Sequence, residues 1–118
     1  MREPPAIESF GGGGFRVAGA WRAGSLLILA DEPQPWRPTA FAAVTIDDFA
    51  AVLAAPRGLV EFVLLGTGAA QALPPREIRD GLRAAGLGLE FMATAAAART
   101  HNVLASQGRL FATALIAV

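Results

Sequence analysis

Three short apolar runs, at 59–65, 87–91 and 109–118, alternate with two stretches of helical period, and this alternation constrains the fold more than any other feature. A strand that leads through a helix into a parallel strand needs a crossover, which lays the helix on one face of the sheet. The runs are apolar at nearly every position, as expected of strands covered on both faces. The second half of the chain therefore predicts strand, helix, strand, helix, strand.

The two helices have readable ends. The first begins near Pro75, a favourable first-turn proline, and directs Ile78, Leu82 and Ala85 inward. Arg76, Arg79 and Arg83 follow its polar side, with Gly86 as the stop. Gly81 costs this helix about 1 kcal/mol against alanine, an expense that predicts close contact with the sheet. The second helix spans 95–107, with Thr94 as its cap and Gly108 beyond its end.

The first half reads differently. Four glycines, 11–14, break the chain and predict a hairpin or a mobile segment. Residues 15–21 alternate, placing Phe15, Val17 and Trp21 on one face and Arg16 on the other. Gly24 turns the chain into 25–29, a covered strand. The stretch 31–38 has three prolines and reads as a loop; 39–45 is a further strand candidate. Thr45 and Asp48 form a capping box before a short helix with Phe49, Val52 and Leu53 on one stripe, stopped by 56–58. The whole predicts an α/β fold, a β-hairpin-rich first half beside a strand–helix second half, with about three helices. At 118 residues it is expected to be one domain, 1–118, led by a flexible segment at 1–6.

Composition narrows function. Ten basic side chains balance ten acidic ones, which disfavours a broad grip on nucleic acid. Without cysteine there are no disulfides, no thiolate catalysis and no sulfur-ligated metal. A single histidine, His101, without an HExxH partner gives no histidine-rich metal centre. No cofactor is expected. With no apolar run of spanning length, no transmembrane segment is expected either, and a cytoplasmic location is the expectation, with peripheral membrane contact left open.

Candidate site residues fall in three places. Gly66, Thr67 and Gly68 follow a covered strand, where they read first as a packing turn and, as the alternative, as a candidate anion nest of successive loop amides with the Thr67 hydroxyl. On the second helix, about 100° per residue puts Ala97, Ala98, His101, Leu104 and Ala105 on one face and Arg99, Asn102 and Ser106 opposite. His101 is thus a core or boundary histidine with one hydrogen bond, while Arg99 and Asn102 have two readings, a structural one (Arg99 to an acidic side chain, Asn102 to nearby backbone) and a recognition pair. Trp36 and Arg37, among prolines, read either as simple loop packing or as candidate surface anchors for a protein partner.

Segments 63–68 (VLLGTG), 87–92 (LGLEFM) and 98–104 (ARTHNVL), followed by 109–118, resemble the Mth938-like domain family. That family includes bacterial and archaeal proteins of unassigned biochemistry and mitochondrial complex I assembly factors. The resemblance implies a compact three-layer β/α fold with a mixed sheet and offers assembly as a functional precedent. Thr94, Arg99 and Asn102 match the family pattern. Where the family commonly has aspartate, glycine, cysteine and tyrosine, this chain has Ala93, Ala95, Ala98 and His101. Without the acid and the thiol, catalysis through either is removed. The leading expectation is a non-enzymatic interaction or assembly domain, with a protein partner or a second copy bound near Trp36, Arg37, Arg99, Asn102 and Ser106. The alternative is a small anionic ligand, or a hydrolase, using Gly66, Thr67, Gly68, Thr94, Arg99 and Asn102.

Overall fold

The computed structural model describes residues 2–56 and 58–118. Arg57, within the expected stop at 56–58, and Met1 lie outside the described residues. Strands β1 (Ile7–Gly11), β2 (Gly14–Val17) and β3 (Ala20–Ala23) form an antiparallel meander. Strands β4 (Ser25–Leu29) and β5 (Glu32–Trp36) follow, then short 3-10 turns at Phe41–Ala43 and Ile46–Phe49 and helix α1 (Ala50–Leu53). The expected alternation completes the chain: β6 (Phe62–Gly66), α2 (Arg76–Ala84), β7 (Gly88–Met92), α3 (Thr94–Ser106) and β8 (Phe111–Leu115).

The second sheet has the order β5-β4-β8-β6-β7. β6 runs parallel to both β7 and β8, while β4 is antiparallel to β8 and β5, so the sheet is mixed. Successive side chains of its covered strands enter different cores, as the pleat requires. Val63, Leu65, Leu27, Ala112 and Ala114 pack with Phe49, Val52, Ile78 and Leu82 beneath α1 and α2. Phe62, Leu64, Leu26, Ile28, Phe111 and Leu115 pack on the other face with Ala97 and Ala98 of α3 and with Ile7, Phe15 and Val17 of the meander. Helices, sheet, and helix plus meander make the three layers.

Five readings of the sequence are corrected. Residues 15–21 do not form one strand: Ala18 and Gly19 both take positive φ (50° and 83°) and close a two-residue hairpin turn. Arg16 therefore pairs across from Trp21, and Trp21 is half exposed rather than beside Phe15 in the core. The proline-rich 31–38 contains a strand, β5, because it lies at the sheet edge and its prolines alternate. Their missing amides fall on the open side, away from the ladder with β4. That side cannot accept another ladder, and 39–45 accordingly forms a 3-10 turn instead of a strand. Gly81 makes room for Ile46 rather than for the sheet: a methyl there would lie 2.5 Å from Ile46 Cδ1. Ile78 and Leu82 are fully buried as expected, whereas Ala85 is exposed at the end of α2.

Candidate functional site

The end of β6 is bonded from every direction. The Thr67 amide donates to Met92 O (2.9 Å), and the Gly68 amide donates to Thr94 Oγ1 (3.0 Å). Thr67 Oγ1 donates to Ala70 O (2.7 Å) and accepts from the Ala72 amide (3.1 Å). Thr94, expected to cap α3, does something else: Ala93 is the cap residue, and the Thr94 hydroxyl donates to Ile116 O at 2.8 Å. One fully buried side chain thus ties the loop after β6 to the segment after β8. Gly66 must lack a side chain here, since a methyl would lie 2.7 Å from Leu115 Cδ2 and 3.1 Å from Thr94 Cα. The anion nest read from Gly66, Thr67 and Gly68 is corrected accordingly: the Thr67 and Gly68 amides already have acceptors inside the protein.

Helix α3 divides into the faces its periodicity predicts, and β1 engages part of its polar face. Asn102 behaves as a piece of strand, with Oδ1 accepting from the Ile7 amide (2.9 Å) and Nδ2 donating to Ile7 O (2.8 Å). This pair pins β1 to the helix. Arg99 places its guanidinium carbon 5.5 Å from the centre of the Phe10 ring, a cation–π contact with the same strand. Ser106 is exposed, and its hydroxyl donates to Val103 O (2.7 Å). Asn102 and Ser106, with Pro4 and Pro5, line a cleft of about 210 Å³.

His101 is buried, as expected, but holds two partners instead of one. Nδ1 lies 2.8 Å from Thr113 Oγ1, and Nε2 lies 2.8 Å from Pro5 O. A carbonyl only accepts, so Nε2 carries the proton and Nδ1 accepts from the Thr113 hydroxyl. The ring also meets Phe111 edge-on at 5.4 Å. Burial lowers the His101 pKa, opposed by the bond to Pro5 and the charge of Asp31, and the neutral form fits both partners. Within the segment 1–6, expected to be flexible, the described residues make contacts with the fold: Pro5 is buried against His101, and the Arg2 fork meets Asp31 with two contacts of 3.1 Å.

Trp36 is corrected from surface anchor to core residue. It is 6% exposed, packs edge-on against Phe49, and donates its indole N–H to Asp48 O at 2.8 Å. Arg37 is exposed, and its fork engages Asp48 at 2.6 and 2.7 Å. Those bonds hold the Asp48 carboxyl below its usual pKa, aided by the Thr45 amide at 2.8 Å. Both residues thus organise the capping-box segment.

A second cleft, of about 450 Å³, lies between the ends of α1 and α2 and the start of β6. Neither cleft joins the loop at Gly66, Thr67 and Gly68 to Arg99. Among the described residues no group of three metal-ligating side chains gathers. The residues that reading the sequence missed are on β3. Trp21 is 48% exposed, and the half-buried Arg22 has a buried Nε with no hydrogen-bond partner among the described residues. The Ala18-Gly19 pair was the available signal, since glycine after a short run marks a hairpin turn.

Comparison with known proteins places this geometry. The family model described as "Protein of unknown function (DUF498/DUF598)" matches residues 7–116. An uncharacterised protein of Rhodobacter capsulatus is 44% identical over 110 residues, covering 93% of this chain and 82% of the relative. The crystal structure of an outer membrane protein from Bartonella henselae matches with a TM-score of 0.89 and 34% identity, covering 98% of this chain and 96% of the other. A solution structure from Bordetella pertussis, described as a Mth938-like domain, matches with a TM-score of 0.76 and 26% identity over 98% of this chain and 90% of the other. A 13 kDa major membrane protein of Francisella tularensis is 43% identical over 49 residues, 42% of this chain and 40% of the relative. The expected cytoplasmic location is overturned by these names, two of which assign relatives to a membrane. Among the described residues, no helix is long and apolar enough to cross one.

Proposed function

The chain belongs to the Mth938-like family of proteins of unknown function, and from that premise we propose that it is a non-enzymatic interaction or assembly domain, serving a protein partner at a membrane. One observation carries the reading. Thr67, Thr94, His101 and Asn102 bond within the fold, while Trp21, Leu53, Leu59, Leu73 and Val103 remain exposed. Buried polar groups satisfied in this way specify a single packing arrangement. Exposed large apolar side chains are the usual material of interfaces. The membrane setting is supported by the names of the Bartonella and Francisella relatives, and association through a membrane-bound partner accords with the absence of a spanning helix among the described residues. In this reading residues 1–118 act as one module.

Tagged capture from separated membrane and soluble fractions, followed by cross-linking and mass spectrometry, tests the proposal. A reproducible, saturable partner enriched with membranes is expected. Recovery of the protein alone from both fractions, under mild conditions and across physiological concentrations, would refute it.

A further inference from the structure

The two sheets of this fold have four edge strands, and three of them are closed to a visiting strand or guarded against it. β1 is held to α3 through Asn102. β5 turns its prolines outward, and β7 carries the exposed Glu90. β3 has neither proline nor acidic residue and pairs with β2 alone. The two-residue turn at Ala18 and Gly19 sets its phase: Val17 pairs with Ala20 and Phe15 with Arg22. In such a hairpin these are the hydrogen-bonded pairs, so the amides and carbonyls of Trp21 and Ala23 face away from β2.

Two side chains on this edge lack intramolecular work. Arg22 is half-buried, makes no hydrogen bond or ion pair with any described residue, and has its Nε buried without a partner. A buried unpartnered donor carries its full desolvation penalty, which an arriving carboxylate would remove with a bidentate contact. Trp21, 48% exposed, stands against the bare backbone of β2, where a methyl on Gly14 would lie 2.8 Å from its ring. Arg16, its cross-strand neighbour, lies on the face opposite Arg22 and is engaged at the turn, where it donates to Gly19 O while Glu8 accepts from the Gly19 amide.

We propose that β3 is a docking edge for an extended, acidic segment of a partner protein, which adds as a fourth strand, stacks on Trp21 and presents a carboxylate to Arg22. This deepens the interaction reading above and rests on it. Charge complementarity selects the occupant: Arg22 stands on the edge strand without a counter-ion among the described residues, and β3 contributes no acid. A second copy paired through the same strand would therefore bring arginine toward the edge but no carboxylate from its own β3. Strand addition supplies main-chain bonds for affinity, while side chains alternating along the visitor set its specificity.

The test uses the full chain, uniformly labelled with nitrogen-15, and a synthetic eight-residue peptide alternating glutamate with valine. Its lysine-for-glutamate twin is the comparison, at low and at physiological salt. The expected result is saturable shifts centred on the Trp21 and Ala23 amides with the acidic peptide, slowed hydrogen exchange at both, and weaker binding in salt. Arg22→Gln should weaken binding by about tenfold or more, as loss of a charge-assisted bond does. Ala23→Pro removes an outward amide without touching the ladder to β2, so it should abolish binding whether or not Arg22→Gln folds. The proposal is overturned if the acidic peptide produces no shifts at millimolar concentration, if the lysine twin binds equally, or if the shifts lie elsewhere. It is also overturned if Arg22→Gln makes the protein dimerise through β3, which would identify the arginine as a guard against edge pairing. A captured partner that shifts residues around the larger cleft instead of β3 would sink this proposal and leave the interaction reading intact.

Discussion

Thr94→Val removes one hydroxyl and leaves the volume almost unchanged, so it isolates the polar tie between the ends of β6 and β8. In the native fold that hydroxyl accepts from the Gly68 amide at 3.0 Å and donates to Ile116 O at 2.8 Å, at a fully buried position. Valine leaves both backbone groups without that partner. Each buried unsatisfied group costs about 1–3 kcal/mol, so the pair should cost about 3 kcal/mol. For a chain of this size that lowers the melting temperature by about 12 °C. Urea unfolding followed by tryptophan fluorescence gives the free energy, since Trp36 is buried in the folded state. Thr94→Ser is the control, retaining the hydroxyl and losing only a methyl, for about 1 kcal/mol. The urea dependence should be unchanged, and Gly68 amide exchange should accelerate in the valine variant alone. If Thr94→Val is no less stable than Thr94→Ser, the hydroxyl does not hold these segments together and the account of the loop is wrong.

Two further predictions concern the same helix. His101 is the sole histidine and its folded pKa is lowered, so the unfolded chain takes the proton first as pH falls. Stability should be full above the unfolded pKa of about 6.5 and decline below it, by at most about 1.4 kcal/mol per pH unit, until the folded ring also titrates. Urea unfolding between pH 7.5 and 5.5 checks this, with His101→Gln expected to flatten the decline and a ring pKa at or above 6.5 by NMR contradicting it. Asn102→Leu should destabilise by about 1–3 kcal/mol and speed exchange at the Ile7 amide, because two bonds to β1 are lost. Arg99→Ala, which removes one exposed cation–π contact, should cost no more than about 1 kcal/mol by the same assay.

The crossover half of the fold was legible because burial and period coincide there. Val63 and Leu65 share one core while Phe62 and Leu64 share the other, so the apolar run that follows Glu61 reads as a strand covered on both faces. Ile78 and Leu82 recur at helical spacing, and His101 followed Ala97 and Ala98 into the core for the same reason. The meander was harder to read. Phe15, Val17 and Trp21 alternate perfectly across a turn, and only the positive φ of Ala18 and Gly19 reverses the chain and puts Trp21 outside. Proline misled at 31–38, because its cost depends on whether a strand is central or an edge, which is a property of the sheet.

The candidate site shows the same division more sharply. Residue identity determined what each group is able to do: Thr94, Asn102 and Gly68 can bond an anion, a partner or the backbone with equal chemistry. Which of these they do depends on what the chain brings within 3 Å, and those neighbours are 26 residues away for Thr94 and Gly68 and 95 for Asn102 and Ile7. Sequence alone therefore determined the strand–helix alternation, the mixed sheet, the histidine-poor and thiol-free chemistry and the family resemblance. Only the tertiary structure decided that the apparent recognition residues hold the fold together, and that the unpartnered arginine and exposed tryptophan lie on β3. The physical reason is that periodicity is local, whereas satisfaction of a buried polar group is settled by contacts between segments distant in the chain.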